Sequence, residues 1–246
     1  MPDKYDAIGR GYTGPRQPDP RIAGTIAAAL GDAQRIVNIG AGSGAYEPAG
    51  RDLMAVEPSA EMIRQRPPTA YPAVQASAED LPFADNSYDA GMAVLTVHHW
   101  SDQARGLREL RRVTRGPVVL VTFDPAHSGN WLDGYIPGLR QLDAGQMPPM
   151  DFYARWLGAV AITPLLIPHD CLDGFLYSYW RRPECYLDPH LRDAISSFHA
   201  LGGCEQELAL LARDLASGDW DAQFGALRSC VELDVGYRLV VASGPG

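Results

Sequence analysis

Short, nearly continuous apolar runs alternate with helical patterns through the first half of the chain. Such runs are typical of strands that are covered on both faces, as in parallel sheets. Between the fourth and fifth runs, Leu107, Leu110 and Val113 have the spacing of one helix face, which predicts a helix over 102–113. The alternation favours an α/β fold with a Rossmann-like, doubly wound and mostly parallel sheet. The five runs occupy residues 35–39, 53–56, 73–76, 88–97 and 117–123.

The pattern changes after Asp124, where aromatic residues, glycine and proline become frequent. Residues 159–167 predict a sixth strand, and 237–242 predict a seventh that we expect to be an antiparallel edge strand. Helices and aromatic side chains between the two are expected to form a small cap. The 246 residues then fit a single domain over 1–246. Its parts are an N-terminal arm and helix (1–34), the first five strands (35–125), insertions that carry the sixth strand (126–235) and the last strand (236–246).

The formal net charge of −9 argues against several classes of partner. A uniformly acidic chain repels phosphate backbones, so we expect that no nucleic acid binds. No apolar run approaches membrane-spanning length and the first residues lack a signal-peptide pattern, so we expect no membrane association and a cytoplasmic protein. The cysteines are too scattered for a metal site, and we expect none. They are Cys171, Cys185, Cys204 and Cys230.

A glycine-rich loop follows the first predicted strand, with glycines at positions 40, 42 and 44. Glycine lets the backbone take positive φ angles and lets a ligand approach closely. A strand, a glycine loop and the start of a helix together make a nucleotide site at the carboxyl edge of a sheet. Glu57 ends the second strand seventeen residues after Gly40. A carboxylate there can accept hydrogen bonds from both ribose hydroxyls of an adenosine.

More than one cofactor fits this arrangement. Gly40, Gly42 and Ala45 satisfy the spacing of a dinucleotide-binding loop, which keeps an NAD-dependent oxidoreductase open. The glycine at position 44 and the short stretch 46–50 leave little room for the helix N-terminus that a pyrophosphate needs. S-adenosylmethionine carries no phosphate and has no such need. An enzyme that uses S-adenosylmethionine for another reaction and a regulatory domain with a relic site also stay open.

In four stretches the chain resembles the class I S-adenosylmethionine-dependent methyltransferases, in particular the type 11 or ubiquinone-methyltransferase-like group. The resemblance implies S-adenosyl-L-methionine as cofactor, S-adenosyl-L-homocysteine as product, and methyl transfer to oxygen, nitrogen or carbon of a small-molecule acceptor. The Ala-, Arg- and Asp-rich composition is associated with bacteria in which such enzymes often serve secondary metabolism. Neither the acceptor nor an oligomeric state is indicated. The stretches are 37–44, 55–63, 76–83 and 89–100.

The resemblance also implies roles for single residues. Gly40, Gly42 and Gly44 would lie under the methionine and ribose portions of the cofactor. Glu57, followed by Pro58, would hold the ribose hydroxyls.

Further positions would meet the adenine and cover the cofactor. In the family an acidic side chain and neighbouring amides meet the adenine amino edge, and Glu79, Asp80 and Leu81 occupy that stretch here. The N-terminal arm of related proteins closes over the cofactor. Tyr5 and Tyr12 are therefore predicted to cover it, since an aromatic face attracts a sulfonium cation.

The chain departs from the family at Asn38, two residues before Gly40, where an acid is usual. A neutral amide is a weaker partner than a carboxylate for the cationic methionine amine. One hypothesis is that Glu47 supplies the missing negative charge.

His98 and His99 are the predicted catalytic residues, because a hydroxyl or protonated amine must lose a proton before it attacks the methyl group. Val97, beside them, would flank the reactive end of the cofactor. Adjacent strand residues point to opposite faces, so the two histidines cannot both face the crevice, and we favour His98. Residues 126–235 would build the acceptor pocket from aromatic side chains such as Trp131, Phe175, Tyr177, Tyr179 and Trp180.

Overall fold

One seven-stranded sheet forms the centre of the part of the chain that the computed structural model describes, residues 16–244. The strands are β1 (Arg35–Ile39), β2 (Asp52–Val56), β3 (Ala73–Val74), β4 (Ala90–Val94), β5 (Val118–Phe123), β6 (Val160–Pro164), β7 (Ile167–Pro168), β8 (Glu232–Leu233) and β9 (Tyr237–Ala242). Their order in the sheet is β3-β2-β1-β4-β5-β9-β6, and β7 pairs separately with β8.

The first five strands are parallel, whereas β9 runs antiparallel to both β5 and β6. The predicted Rossmann-like, mostly parallel sheet of seven strands is confirmed. The expectation that the last strand lies at the edge is wrong, because β9 pairs on both sides and most of its side chains are buried. The edge strand on that side of the sheet is β6, which is partly exposed and ends in Pro164, a residue that edge strands tolerate.

Two clusters of buried side chains cover the two faces of the sheet. Ile36 and Val37 are adjacent in β1 and belong to different clusters, as the alternation of side chains along a strand requires. One cluster includes Ile26 of the first helix, and the other includes Leu110 of the helix predicted over 102–113. The sheet is thus buried on both sides, which explains its continuous apolar runs.

Four helices begin at an N-cap whose side chain accepts a backbone hydrogen bond: Asp19, Ser59, Asp102 and Asp188. The first starts at Pro20, and the Asp19 side chain accepts a hydrogen bond from the Arg21 amide. The helices are α1 (Pro20–Leu30), α2 (Ala60–Arg64), α3 (Gln103–Val113), α4 (Trp131–Tyr135), α5 (Gly138–Gln146), α6 (Met150–Leu157), α7 (Pro189–Asp193), α8 (Ser196–Leu201), α9 (Glu205–Ser217) and α10 (Asp219–Phe224). None of the helices within residues 16–244 combines the length and apolar character that crossing a membrane requires.

The fourth strand is shorter than its apolar run predicts. It ends at Val94, and Leu95 takes a positive φ of 52°. The chain then forms a 3₁₀ turn over Val97–His99. The positive φ turns the backbone out of the extended conformation, so the residues after it leave the sheet.

The cap is built on aromatic side chains between β5 and β9. Trp131 packs edge-on against Trp220 with ring centroids 5.4 Å apart, and both are buried. The cap meets the sheet at two neighbouring points: the Asp124 amide donates to the Gly236 carbonyl at 2.9 Å, and the Leu165 amide donates to the Tyr237 carbonyl at 2.9 Å.

Candidate functional site

The glycine loop is fixed between the ends of three strands. The amides of Gly40 and Ala41 donate to the Val56 carbonyl at 2.8 and 3.0 Å, which ties the loop to the end of β2. Gly40 has a φ of 67°, and a Cβ atom there would lie 2.0 Å from Oγ1 of Thr96, just after β4. Only glycine fits this position, because the backbone must approach the neighbouring strand end so closely.

The carboxylate of Glu57 is buried at the end of β2 and oriented by backbone amides. Oε2 accepts from the Gly42 amide at 2.8 Å, and Oε1 accepts from the Ser59 amide at 3.0 Å. Gly42 has a φ of 52°, so the glycine loop turns its amide toward this carboxylate. Backbone amides therefore fix the orientation of both carboxylate oxygens.

A cavity of about 400 Å³ opens at the carboxyl ends of the strands, and we call it the first cavity. Its lining includes many of the residues predicted from the sequence: Asn38, Gly40, Gly42, Glu57, Pro58, Glu79 and His99. It also includes residues that the sequence analysis did not single out, among them Arg16, Tyr46, Met62, Ser77, Thr96 and Trp100. Thr96 and Trp100 lie in the stretch 89–100 that carries the family resemblance, but no chemical pattern distinguishes them there.

Other predicted residues lie outside the lining of the first cavity. Asp80 is exposed, and Leu81 is buried with its amide donating to Glu109 Oε2 at 3.0 Å. Val97 is buried in the core of the sheet. Gly44 has a φ of 97° and faces away from the cavity, toward the side chains of Arg66 and Glu47.

Tyr5 and Tyr12, predicted to cover the cofactor, lie outside the described residues, and their role stays a prediction. Within residues 16–244, no cluster of three or more His, Cys, Asp or Glu side chains has the arrangement of a metal site.

Asn38 is buried beside the ion pair of Glu47 and Arg66. Its amide Nδ2 donates to Glu47 Oε1 at 3.3 Å. The Glu47 carboxylate lies 2.8 Å from Arg66 Nη2, and the two side chains are only 4% and 5% exposed. The hypothesis that Glu47 supplies a missing negative charge is therefore not supported, since Arg66 neutralises it and Glu47 does not line the cavity.

Glu79 is held on the opposite side of the first cavity. Its Oε1 accepts from Ser101 Oγ at 2.9 Å and from the Asp102 amide at 3.0 Å. Burial acts to raise the pKa of this carboxyl, but the hydrogen bonds outweigh it and lower the pKa. Glu79 therefore stays an ionised acceptor at neutral pH.

The two histidines are on the 3₁₀ turn rather than on a strand. The expectation that they point to opposite faces of the sheet is wrong, since their ring centroids lie 3.8 Å apart. His99 lines the first cavity, whereas His98 does not. Both line a second, smaller cavity next to it.

This second cavity has a volume of about 60 Å³ and lies between the sheet and the cap. It shares Arg16, Leu95 and His99 with the first cavity. Of the aromatic residues expected to build an acceptor pocket, Phe175 and Tyr177 line it. Trp131, Tyr179 and Trp180 are instead buried among cap side chains. The side chains that the sequence analysis missed include three from distant segments: Phe123, Asp143 and Tyr237.

A buried ion pair stands where the two cavities meet. Arg16 Nε lies 2.6 Å from Asp173 Oδ1, and the Asp173 side chain is 1% exposed. The Tyr46 hydroxyl donates to Asp173 Oδ2 at 2.9 Å. The positive charge of Arg16 is thus compensated at the junction.

Comparisons with known proteins agree with this geometry. Residues 37–121 match the family model described as "Methyltransferase domain". The chain is similar to the crystal structure of a proposed methyltransferase from an antibiotic biosynthesis pathway of Anabaena variabilis ATCC 29413, with 35% identity and a TM-score of 0.86. The match covers 94% of this chain and 100% of that one.

Two other relatives are more distant. The demethylmenaquinone methyltransferase of Renibacterium salmoninarum is 34% identical over 102 residues, which are 38% of this chain and 42% of that enzyme. The chain spans less than half the length of the first curated relatives that it matches. The geranyl diphosphate C-methyltransferase of Streptomyces coelicolor A3(2), solved with S-adenosyl-L-homocysteine, shares the fold with a TM-score of 0.53 at 16% identity, covering 92% of this chain and 77% of that one.

Proposed function

This chain belongs to the class I S-adenosylmethionine-dependent methyltransferases, and from this premise we propose that it methylates a small molecule bound in its second cavity. The main support for the proposal is that the two cavities are adjacent and share lining residues. Arg16, Leu95 and His99 line both, so a cofactor in the first cavity would have its reactive end beside an acceptor in the second.

The residues of the first cavity fit S-adenosylmethionine, the cofactor of this family. Its volume of about 400 Å³ suits a ligand of that size. In our proposal the Glu57 carboxylate accepts hydrogen bonds from the ribose hydroxyls, while Glu79 accepts one from the adenine amino group. Asn38 and Gly40 line the part that the methionine portion would occupy.

When bound, the cofactor supplies an electrophilic methyl group on a sulfonium. The chain's own residues align the acceptor behind that methyl group and exclude water, which is catalysis by proximity. His99 is the better placed of the two predicted bases, because it lines both cavities. It would accept the proton that the acceptor loses, and His98 would support its ring from the same turn.

The names of the relatives support a small-molecule acceptor. They include a demethylmenaquinone methyltransferase and a proposed methyltransferase of an antibiotic biosynthesis pathway. The second of these matches this chain over nearly its whole length, and on that ground we place the reaction in secondary metabolism.

Thermal unfolding with and without S-adenosyl-L-homocysteine tests the proposal, with NAD as the control ligand. At about 100 times its Kd, a ligand stabilises the fold by about 2.7 kcal/mol, which corresponds to a Tm increase of about 5–10 °C for a domain of this size. We expect this shift with S-adenosyl-L-homocysteine and none with NAD. An equal or larger shift with NAD would contradict the proposal and favour the oxidoreductase alternative.

A further inference from the structure

Two carboxyl groups share one phenol beneath the second cavity. The Tyr177 hydroxyl oxygen lies 2.9 Å from Asp133 Oδ1 and 3.0 Å from Asp143 Oδ2. Asp143, on α5, is buried and lines the cavity, and Asp133, on α4, is half-buried. The three side chains therefore form a hydrogen-bonded row that runs from the second cavity into the cap.

The number of protons shared by Asp133, Asp143 and Tyr177 determines the net charge of these three side chains. The Tyr177 hydroxyl carries one proton and can donate to only one carboxylate, so both hydrogen bonds form together only if one carboxyl is protonated. Burial raises the pKa of Asp143 to about 6 and also raises the pKa of Asp133. Arg140 and His127 oppose that rise at Asp133. Asp143 interacts with Tyr177 and Asp133, and the other ionisable side chains that line its cavity are Arg16, His98, His99 and Tyr237. Above about pH 6 the Asp143 carboxyl is ionised, and an added positive charge is favoured beside it.

The free oxygen of Asp143 is available to a ligand. Oδ2 bonds to Tyr177, while Oδ1 has no hydrogen-bond partner among residues 16–244 and is not enclosed by protein atoms. The nearest fixed cation in the lining, Arg16, is already paired with Asp173. The second cavity thus carries a carboxylate that no guanidinium of its lining neutralises.

The walls around this carboxylate are aromatic. Phe123 stacks on Tyr177 with ring centroids 5.2 Å apart, and Phe175 packs edge-on against Tyr237 at 4.7 Å. All four line the second cavity. Aromatic faces attract cations, and a carboxylate among aromatic rings is the arrangement that binds an organic ammonium. A phenolate or carboxylate acceptor would instead be repelled by the Asp143 carboxylate.

We propose that the second cavity binds a primary or secondary amine as its ammonium ion, with Asp143 Oδ1 as counterion and hydrogen-bond acceptor. This inference rests on the proposed function and narrows it to N-methylation. Asp143 is the residue that selects the acceptor, and Tyr177 and Asp133 are positioning residues that hold its carboxylate.

Methyl transfer to the bound ammonium begins with the loss of a proton. One N–H proton of the bound ammonium passes to the imidazole of His99, which leaves a neutral amine with a free lone pair. That lone pair attacks the methyl carbon of S-adenosylmethionine; the C–N bond forms while the S–C bond breaks, and its electron pair stays on sulfur. The products are a methylated ammonium beside Asp143 and S-adenosyl-L-homocysteine. His99 then returns its proton to solvent.

Binding of a matched pair of probes to the protein saturated with S-adenosyl-L-homocysteine tests the inference. Benzylammonium and benzyl alcohol have nearly the same shape and differ in charge. We expect benzylammonium to bind at least about tenfold more tightly, by calorimetry at pH 8, and its affinity to fall about tenfold toward pH 5 as Asp143 becomes protonated. Equal affinity for the two probes, or no change with pH, would overturn the inference.

The variant Asp143→Asn provides a second test, because its amide has nearly the same shape as the carboxylate but carries no charge. We expect a loss of at least about tenfold in benzylammonium affinity and an unchanged affinity for S-adenosyl-L-homocysteine. Asp151→Asn, at an exposed acid on α6, should change neither. Retained benzylammonium affinity in Asp143→Asn would refute the assignment. Failure of S-adenosyl-L-homocysteine to bind the unaltered protein would instead refute the proposed function, so the two failures are distinguishable.

Discussion

Gly40 and Thr96 approach each other so closely that a methyl group on residue 40 would lie 2.0 Å from Thr96 Oγ1. The contact joins the loop after β1 to the turn after β4, the two segments that frame the first cavity. Gly50 offers a comparison, because it has a similar φ of 75° and nothing within 4 Å of the position a Cβ would take.

We therefore expect Gly40→Ala to destabilise the protein more than Gly50→Ala. Both variants incur the strain of a positive φ, about 1–2 kcal/mol, but only the first forces β1 and β4 apart. The difference in unfolding free energy, measured by urea denaturation, should exceed about 1.5 kcal/mol. Gly40→Ala should also weaken S-adenosyl-L-homocysteine binding. Equal destabilisation by the two variants would mean that the contact with Thr96 relaxes without cost.

Glu57→Gln should weaken binding of S-adenosyl-L-homocysteine by about 10- to 100-fold. The amide cannot replace a carboxylate that accepts hydrogen bonds on both oxygens, and charged hydrogen bonds contribute about 1.5–3 kcal/mol each. Calorimetric titration measures the change. Glu232→Gln, at an exposed acid on β8, is the control and should bind as the unaltered protein does. An unchanged affinity in Glu57→Gln would exclude the carboxylate from the ribose site.

Arg66→Met should cost about 3–5 kcal/mol of stability, because it leaves the buried Glu47 carboxylate without its counterion. Arg66 also donates to the Gly42 carbonyl at 3.2 Å, so the glycine loop loses a support. Arg64→Met breaks an ion pair on the surface and should cost at most about 1 kcal/mol. Chemical denaturation of both variants gives the comparison. A cost near that of Arg64→Met would show that Glu47 finds another partner or takes up a proton.

Asp143→Asn should change how stability depends on pH. The pKa of Asp143 is about 6 in the folded protein, above its ordinary value of 3.8, so the folded state holds this proton more tightly than the unfolded state. The group therefore favours the folded state below about pH 4, and this contribution is lost as the pH rises to about 6, up to about 3 kcal/mol in all.

Asparagine does not titrate, and its amide can still donate to Tyr177. We expect the stability of Asp143→Asn relative to the unaltered protein to increase between pH 4 and pH 7, as measured by urea denaturation across that range. Asp151→Asn should show no such trend, since that side chain is exposed. A constant difference between Asp143→Asn and the unaltered protein would mean that Asp143 titrates alike in the folded and unfolded states.

His99→Ala should lower kcat by about 10²- to 10⁴-fold with a methylatable amine, the range for loss of a general base. His98→Ala, on the same turn, should lower it less because His98 does not line the first cavity. Steady-state kinetics together with S-adenosyl-L-homocysteine titration separates catalysis from binding. The reverse order of effects would return the role of base to His98, and equal loss of turnover and cofactor affinity would point to a structural role for either residue.

The part of the site that successive strands of the sheet form could be predicted from the sequence. The glycine loop and Glu57 lie at the ends of adjacent parallel strands, and parallel pairing alone brings them together. Phe123, Asp143 and Tyr237 come from segments far apart in the sequence, and no local pattern fixes how the cap folds over the sheet. The prediction that the two histidines continue β4 was wrong for a local reason. The positive φ of Leu95 ends β4 early, and the apolar run in the sequence gives no sign of this turn.

The Leu165 amide bonds to the Tyr237 carbonyl, so residues 165–236 leave and rejoin the sheet at one place. Because both ends of this segment are held at the same place on the sheet, the residues between them can be replaced without moving the ends. It contributes Phe175 and Tyr177 to the lining of the second cavity and no residue to the lining of the first. Asp173 lies in this segment and pairs with Arg16 and Tyr46 of the first cavity. Replacing the segment with one from a relative that keeps this aspartate is thus a route to a new acceptor preference with the first cavity unchanged.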